Sequence, residues 1–148
     1  MTAVPPMRRE IVVEAAPDVA FEVFTNEIGQ WWPLAGFSVH GDGGTVAFVE
    51  GRLIERGAAG GIAQWGEVTR WEPPSHVAFT WHPGGDERRA SRVAVTFTPT
   101  GAQTLVTLEH SGWEVYDDPA AARAEYDSGW PAVLERYQAR AAALQQPR

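Results

Sequence analysis

The chain has 148 residues, of which 44% are hydrophobic and 21% charged, so we expect a single globular domain over residues 1–148. The formal net charge of −7 argues against nucleic acid or an anionic membrane as the main partner, because both are bound by clustered Lys and Arg. The absence of cysteine excludes disulfides, zinc thiolates and cysteine nucleophiles. No apolar run approaches the ~18 residues that span a bilayer, and Met1 to Arg9 lacks an apolar signal segment, so we expect no membrane insertion and a cytoplasmic location.

The first elements predicted along the chain are one strand and two short helices. Arg8 to Glu14 contains three consecutive β-branched residues and predicts a strand. Pro17 suits the first turn of a helix, and apolar residues at helical spacing follow it as far as Phe24. A second helical turn is expected from Glu27 to Trp32. Pro33 ends it, because the residue before a proline avoids the α region.

Between Phe37 and Ser111 the pattern changes to short segments with a period of two, each ending in turn residues. Short turns join these segments and no insertion of helix length separates them, which favours an antiparallel sheet. The predicted strands are Thr45 to Glu50, Arg52 to Arg56, Ile62 to Trp71, His76 to His82, Ser91 to Thr98 and Gln103 to Ser111.

A long C-terminal helix is predicted to begin at Asp117-Asp118-Pro119, where acidic residues meet the positive end of the helix dipole. Pro131 removes a helical hydrogen bond, so a kink or a break is expected near Ser128 to Trp130. Gly129 is expected to let the helix approach the sheet closely. One continuous apolar stripe follows the helix and consists of Trp130, Val133, Leu134, Tyr137, Ala141 and Leu144.

Together these elements predict an α+β fold of the helix-grip type. In this fold a curved antiparallel sheet of about six to seven strands wraps around the long C-terminal helix, and two short helices follow the first strand. The apolar stripe of the helix needs an apolar partner, and one face of the sheet provides it. We expect an apolar cavity between the sheet and the helix.

The order of the elements resembles the SRPBCC superfamily, which includes START domains and the birch-pollen-allergen fold. Within it, the chain is similar to the family named for the activator of the heat-shock-protein-90 ATPase. The resemblance covers residues 9–144, nearly the whole chain, and implies the fold more than an activity. Its segments are Ala16-Pro17-Asp18-Val19-Ala20-Phe21 with Phe24-Thr25, Trp31-Trp32, Gly66-Glu67-Val68, Glu72-Pro73-Pro74 to Phe79-Thr80-Trp81, Leu108-Glu109-His110-Ser111-Gly112-Trp113, and Gly129-Trp130 with Leu134.

Aromatic side chains are the main candidates for a binding site, since small-molecule pockets are mostly apolar with a few polar groups. The alternative is that the same side chains fill the interior and leave no cavity. The predicted ligand-binding residues are Trp31, Trp32, Phe48, Trp65, Glu67, Phe79, Trp81, Val95, His110, Trp113, Trp130 and Leu134.

Two polar members of this set have alternative interpretations. By alternation His110 shares a face with Leu108 and points inward, where it is either a core histidine with hydrogen-bond partners or a polar anchor for a ligand. Glu67 shares a face with Trp65 and Trp71 in a regular strand, so it is buried if they face inward and solvated if they face outward; we favour inward. Glu50 has the same ambiguity.

We predict no cofactor and no metal. The four histidines, His40, His76, His82 and His110, form neither an HxH nor an HExxH motif. The glycine-rich segments lack the context of a phosphate-binding loop and are typical of hairpin turns. Ser111 and His110 are adjacent in a strand and point to opposite faces, so they are not a nucleophile–base pair.

The leading functional hypothesis is a binding module for a small hydrophobic ligand, aromatic ones included, in the cavity between the sheet and the C-terminal helix. A second hypothesis is an enzyme that uses the same cavity for acid–base chemistry, such as cyclisation or hydrolysis. The family resemblance implies a third, a chaperone-associated protein that binds heat-shock protein 90. A homodimer is a further expectation on partners.

Overall fold

The computed structural model describes residues 4–34, 36–41 and 43–145, with side chains described to residue 143. Its helices and strands begin and end within one or two residues of the predicted positions in most cases. The elements are β1 (Met7–Val13), α1 (Pro17–Thr25), α2 (Ile28–Trp31), β2 (Thr45–Val49), β3 (Arg52–Arg56), β4 (Ile62–Glu72), β5 (His76–Trp81), β6 (Ser91–Thr100), β7 (Gln103–Ser111) and α3 (Pro119–Gln145).

The strands form one antiparallel seven-stranded sheet in the order β1-β7-β6-β5-β4-β3-β2. Consecutive strands from β2 to β7 are neighbours, and the connections between them are two to nine residues long. Strand β1 returns to the opposite edge and pairs with β7. This sheet, the two short helices after β1 and the long C-terminal helix confirm the predicted α+β helix-grip fold.

Helix α3 buries its apolar stripe as predicted for the described side chains, since Trp130, Val133, Leu134, Tyr137 and Ala141 are all at most 3% exposed. Tyr137 joins α3 to α1, because its hydroxyl donates to the Ala20 carbonyl oxygen at 2.8 Å. Leu144, the last predicted member, lies outside the described side chains. No helix within the described residues has the length and apolarity needed to cross a membrane.

Of the kink or break predicted near Ser128 to Trp130, the break is wrong, because α3 continues through Pro131 without interruption. Proline has no N–H to give to the carbonyl of Asp127, four residues earlier. Arg9 on β1 supplies the missing donor, with Nη2 2.8 Å from the Asp127 carbonyl oxygen and 3.0 Å from its carboxylate. The strand therefore satisfies the carbonyl that the proline leaves free, and the helix remains intact.

We predict that Arg9→Met lowers the free energy of unfolding by about 1–2 kcal/mol, because the half-buried carbonyl of Asp127 loses a charged donor. Urea denaturation at neutral pH measures the change. Arg8→Met is the matched control, since Arg8 is exposed and pairs with the exposed carboxylates of Glu10 and Glu109, and it should change stability by less than about 0.5 kcal/mol. Equal effects of the two substitutions would contradict the role given to Arg9.

Candidate functional site

A cavity of about 400 Å³ lies between the inner face of the sheet and helix α3. Its size is within the range of small-molecule sites. Strands β4 and β5 provide Trp65 and Trp81, and the segment after α2 forms a further wall. The lining residues are Trp32, Gly36, Phe37, Ser38, Val39, Trp65, Trp81, Pro83, Tyr116, Ala122, Glu125, Tyr126, Gly129, Trp130 and Val133.

Four of the residues predicted for the site line this cavity: Trp32, Trp65, Trp81 and Trp130. Most of the other predicted residues are buried in the solid core around it, namely Trp31, Phe79, Val95, His110, Trp113 and Leu134. Phe48 is half-buried and packs against Phe79, with ring centroids 5.5 Å apart. Some of the predicted aromatic residues therefore fill the core, and others line the cavity.

Trp32 is the centre of the aromatic wall. Its ring centroid lies 5.2 Å from that of Trp65, 5.8 Å from that of Trp81 and 5.8 Å from that of Trp130. Its indole N–H donates to the Phe37 carbonyl oxygen at 2.8 Å, which ties the loop wall to the tryptophans. Tilted and edge-to-face pairs of this kind are favourable beyond the area that they bury.

Glu55 is a buried carboxylate that sequence reasoning missed. It lies on β3 with no exposed surface. Its oxygens accept the backbone N–H groups of Val39 and His40 at 2.8 and 2.9 Å, and the indole N–H of Trp65 at 3.0 Å. One carboxylate therefore holds the loop wall and a tryptophan of the sheet wall in a fixed relation.

The pKa of Glu55 is lowered despite its burial. Burial by itself raises a carboxyl pKa, but the hydrogen bonds from Val39, His40 and Trp65 stabilise the charged form, and the net change is downward from 4.5. A lowered pKa means that this group adds stability above its ordinary pKa. That stability is lost as the pH falls through the lower, folded-state value.

We predict that Glu55→Gln lowers the free energy of unfolding by about 1–3 kcal/mol at pH 7, because an amide cannot serve three donors as an acceptor. The difference from wild type should shrink as the pH falls below 4.5, the ordinary glutamate pKa. Denaturation at several pH values measures it. Glu67→Gln is the matched control on the neighbouring strand, with an expected change below about 0.5 kcal/mol. A difference that stays constant with pH would count against the charged form of Glu55 as the cause.

The inward orientation predicted for Glu67 is wrong, because its side chain is exposed. Strand β4 does not alternate regularly. Leu53 pairs with Gly66 and Ile54 with Gln64, so Trp65 is an extra residue that bulges out of the ladder. Trp65 and Gly66 are buried in succession, and a Cβ atom on Gly66 would clash with the Thr80 carbonyl oxygen. Glu50, the other ambiguous glutamate, is also exposed, in the turn after β2 with φ of 49°.

His110 points inward as predicted and is fully buried. The indole N–H of Trp130 donates to its Nδ1 at 3.1 Å, and its Nε2 lies 2.8 Å from the Ser91 hydroxyl. Its ring also packs on that of Trp113, with centroids 4.2 Å apart. His110 lies behind Trp130 rather than on the cavity surface, which is the arrangement of a core histidine with satisfied partners.

Burial lowers the pKa of His110 to about 3. The imidazole is therefore neutral at physiological pH, so His110 cannot act there as a general acid in its imidazolium form. A depressed histidine pKa stabilises the folded state above the unfolded pKa of 6.5. That contribution is lost as the pH falls from this value towards the folded one, because the unfolded chain then binds a proton that the folded chain rejects.

We predict that unfolding becomes easier as the pH falls from 6.5, and that His110→Phe removes most of this slope between pH 6.5 and 5. Guanidinium denaturation across this range measures it. His76→Gln is the control, because His76 is only partly buried and burial lowers its pKa less. If the pH dependence of the unfolding free energy persists in His110→Phe and disappears in His76→Gln, its source is His76 and not His110.

Sequence reasoning also missed several residues of the cavity. Ala122, Tyr126, Gly129 and Val133 on α3 all line it. Their spacing of three and four residues was the signal that could have found them, since such positions share one helix face. The loop residues Phe37 and Val39 had no comparable signal, because irregular backbone has no period.

The role predicted for Gly129 is also different in the structure. A Cβ atom at this position would meet the ring of Phe37 at 3.5 Å, so the residue lies against the loop wall rather than the sheet. Within the described part of the chain, no three His, Asp or Glu residues form a group suited to a metal ion.

The fold and the site define a class: a helix-grip domain with an aromatic-walled cavity between its sheet and its C-terminal helix. Residues 14–141 match the family described as Activator of Hsp90 ATPase homolog 1-like protein. The chain belongs to this family. No curated protein sequence matches the chain significantly.

Several solved structures share the fold. The anthrahydroquino-γ-pyrone synthase Txn09 is 32% identical, with a TM-score of 0.61 and coverage of 91% of this chain and 96% of its own. Protein MLL2253 from Mesorhizobium loti is 21% identical, with a TM-score of 0.70 and coverage of 97% and 100%. The Aha1 dimer from Colwellia psychrerythraea is 16% identical, with a TM-score of 0.67 and coverage of 94% and 97%.

Proposed function

We propose that the protein binds a small hydrophobic, aromatic ligand in the cavity between the sheet and helix α3. The observation that carries the proposal is a hollow of about 400 Å³ at the edge of the core, whose lining includes Trp32, Trp65, Trp81 and Trp130. Indole rings are rigid and offer large apolar faces, so they bind a flat apolar ligand at a low cost in conformational entropy.

The arrangement of polar groups supports the same proposal. The indole N–H of Trp32 donates to the Phe37 carbonyl of the loop wall, and the indole N–H of Trp65 donates to Glu55. These indole N–H groups are already bonded within the protein, so they do not require a polar ligand. Phe37 and Val39 line the cavity and are 39% and 41% exposed, which gives it an apolar rim towards solvent.

We predict that Gly129→Phe abolishes binding of an aromatic probe while keeping the fold. The new ring would occupy the cavity, and a Cβ atom here makes only an ordinary contact with Phe37. Replacing a glycine inside a helix also removes an entropic penalty of about 0.5–1 kcal/mol. Amide NMR titration with naphthol measures binding, and thermal unfolding measures stability.

Ala124→Phe is the matched control for Gly129→Phe. Ala124 lies on the same helix, is exposed and does not line the cavity. The added ring should leave naphthol binding at the wild-type level. If the two variants bind equally well, the ligand does not occupy this cavity.

A second candidate is an enzyme that acts on an aromatic or polyketide-like substrate in the same cavity. The observation that favours it is the 32% identity to Txn09, a protein named as a synthase, over 91% of this chain. The titratable groups available in the cavity lining are Tyr116, Tyr126 and Glu125. Incubation with a substrate that cyclises slowly by itself, followed by mass spectrometry, tests this candidate. An unchanged rate in the presence of the protein would reject it.

The predictions on protein partners continue as proposals. A homodimer has a precedent of fold in the Aha1 dimer, and a chaperone partner is implied by the name of the family. Light scattering of the purified protein tests the first, and a pull-down with heat-shock protein 90 tests the second. Each stands apart from the ligand proposal, since neither needs an occupied cavity.

A further inference from the structure

The lining of the cavity carries charge of one sign. Among the described lining residues, Glu125 is the one acid, and none is a lysine, an arginine or a histidine. The phenol of Tyr126 stays neutral at physiological pH, because burial raises its pKa and the charge of Glu125 adds to the effect. A ligand therefore meets a negative charge in the described lining and no positive charge to balance its own.

Glu125 lies where the cavity opens to solvent, since it is exposed and also lines the cavity. It shares one face of α3 with Ala122 and Gly129, which precede and follow it by about one helical turn and line the cavity too. Within the described residues, its carboxylate forms no ion pair. An exposed carboxylate of this kind is charged at pH 7.

Two arginines of neighbouring segments have other partners. Arg123, two residues before Glu125 on α3, donates to backbone carbonyl oxygens near the N-terminus at 2.8 and 3.1 Å. Arg89, in the loop before β6, pairs with Asp117 at 3.2 Å. Neither arginine balances the charge of Glu125, so this carboxylate is available to a positively charged ligand.

Ligands of opposite charge meet different costs in this cavity. A carboxylate would leave water for a lining that has no cation to pair with it, which is unfavourable. An ammonium group would meet Glu125 at the opening, where it keeps part of its hydration. Indole and phenol rings also attract cations through their faces. The apolar body of such a ligand would pack against the tryptophans deeper in the cavity.

We propose that the cavity selects aromatic ligands that carry a positively charged amine over neutral and negatively charged ligands of the same shape, and that Glu125 determines this choice. This deepens the proposed function and rests on it. The ligand class is an arylalkylammonium, with its ring against the tryptophans and its ammonium group beside Glu125 at the opening. Carboxylated aromatic compounds are rejected by the same charge.

Titration at pH 7 with three probes that share one ring system tests the inference on the full-length protein. Naphthylmethylamine is positively charged, naphthylmethanol is neutral and naphthoate is negatively charged. We expect the amine to bind about three- to tenfold more tightly than the alcohol, through a solvent-accessible ion pair and the attraction of the aromatic rings. Naphthoate should bind at least about tenfold more weakly than the alcohol, because its charge is left unpaired.

The salt dependence of binding separates charge from shape. Raising the ionic strength from about 0.1 M to about 1 M shortens the Debye length from about 10 Å to about 3 Å. The advantage of the amine over the alcohol should shrink, because Glu125 lies at the solvent-exposed opening. An advantage that is the same at both ionic strengths would overturn the role given to this carboxylate.

Two matched variants test Glu125 itself. Glu125→Gln keeps the size of the side chain and removes its charge, so the amine should lose most of its advantage and naphthoate should gain. Glu135→Gln makes the same change of net charge at an exposed position of α3 that does not line the cavity, and it should keep the wild-type order of the probes. Equal effects of the two variants, or an amine advantage that survives Glu125→Gln, would overturn the assignment. Circular dichroism checks that both are folded.

The outcomes separate this inference from the proposal beneath it. If none of the three probes binds, the proposal of an aromatic ligand fails, and the preference for a positive charge fails with it. If the alcohol binds and the amine binds no more tightly, only the preference fails. An advantage of the amine that Glu125→Gln removes and Glu135→Gln keeps supports both.

Discussion

The hydrogen bond from the Trp130 indole to His110 is the interaction on which the rest of the site depends. It joins helix α3 to strand β7 at the boundary between the solid core and the cavity. On one side the His110 ring stacks on Trp113, and on the other Trp130 faces the hollow beside Trp32 and Trp81. Because this bond leaves the imidazole proton on Nε2, His110 donates to the Ser91 hydroxyl on its other side.

Within the described part of the chain, one carboxylate and one imidazole are fully buried, and the protein accommodates them in opposite ways. Glu55 keeps its charge, because three N–H groups converge on its carboxylate. His110 remains neutral, because burial lowers its pKa and its hydrogen-bond partners are one indole N–H donor and one hydroxyl. Each solution places a satisfied polar group behind a tryptophan that lines the cavity.

Strands β7 and β4 differ in how regularly their side chains alternate between the two faces of the sheet. In β7 the ladder with β6 is regular, and the inward orientation of His110 followed from its neighbours. In β4 the bulge at Trp65 turns Glu67 outward, and the residue after Trp65 is a glycine, which the close approach of the Thr80 carbonyl requires. Nothing within β4 indicates that contact, because the partner belongs to the next strand.

The sequence by itself determined the order of the elements, the antiparallel sheet and the buried stripe of α3, because hydrophobic periodicity is a local property. Only the tertiary structure decided which tryptophans line the cavity and which N–H groups Glu55 accepts. It also decided that Arg9 donates to the carbonyl that Pro131 leaves free. These contacts join residues far apart in the chain, as Arg9 and Asp127 are 118 positions apart. Periodicity tells a residue's face within its own element, whereas such contacts depend on how the elements pack against each other.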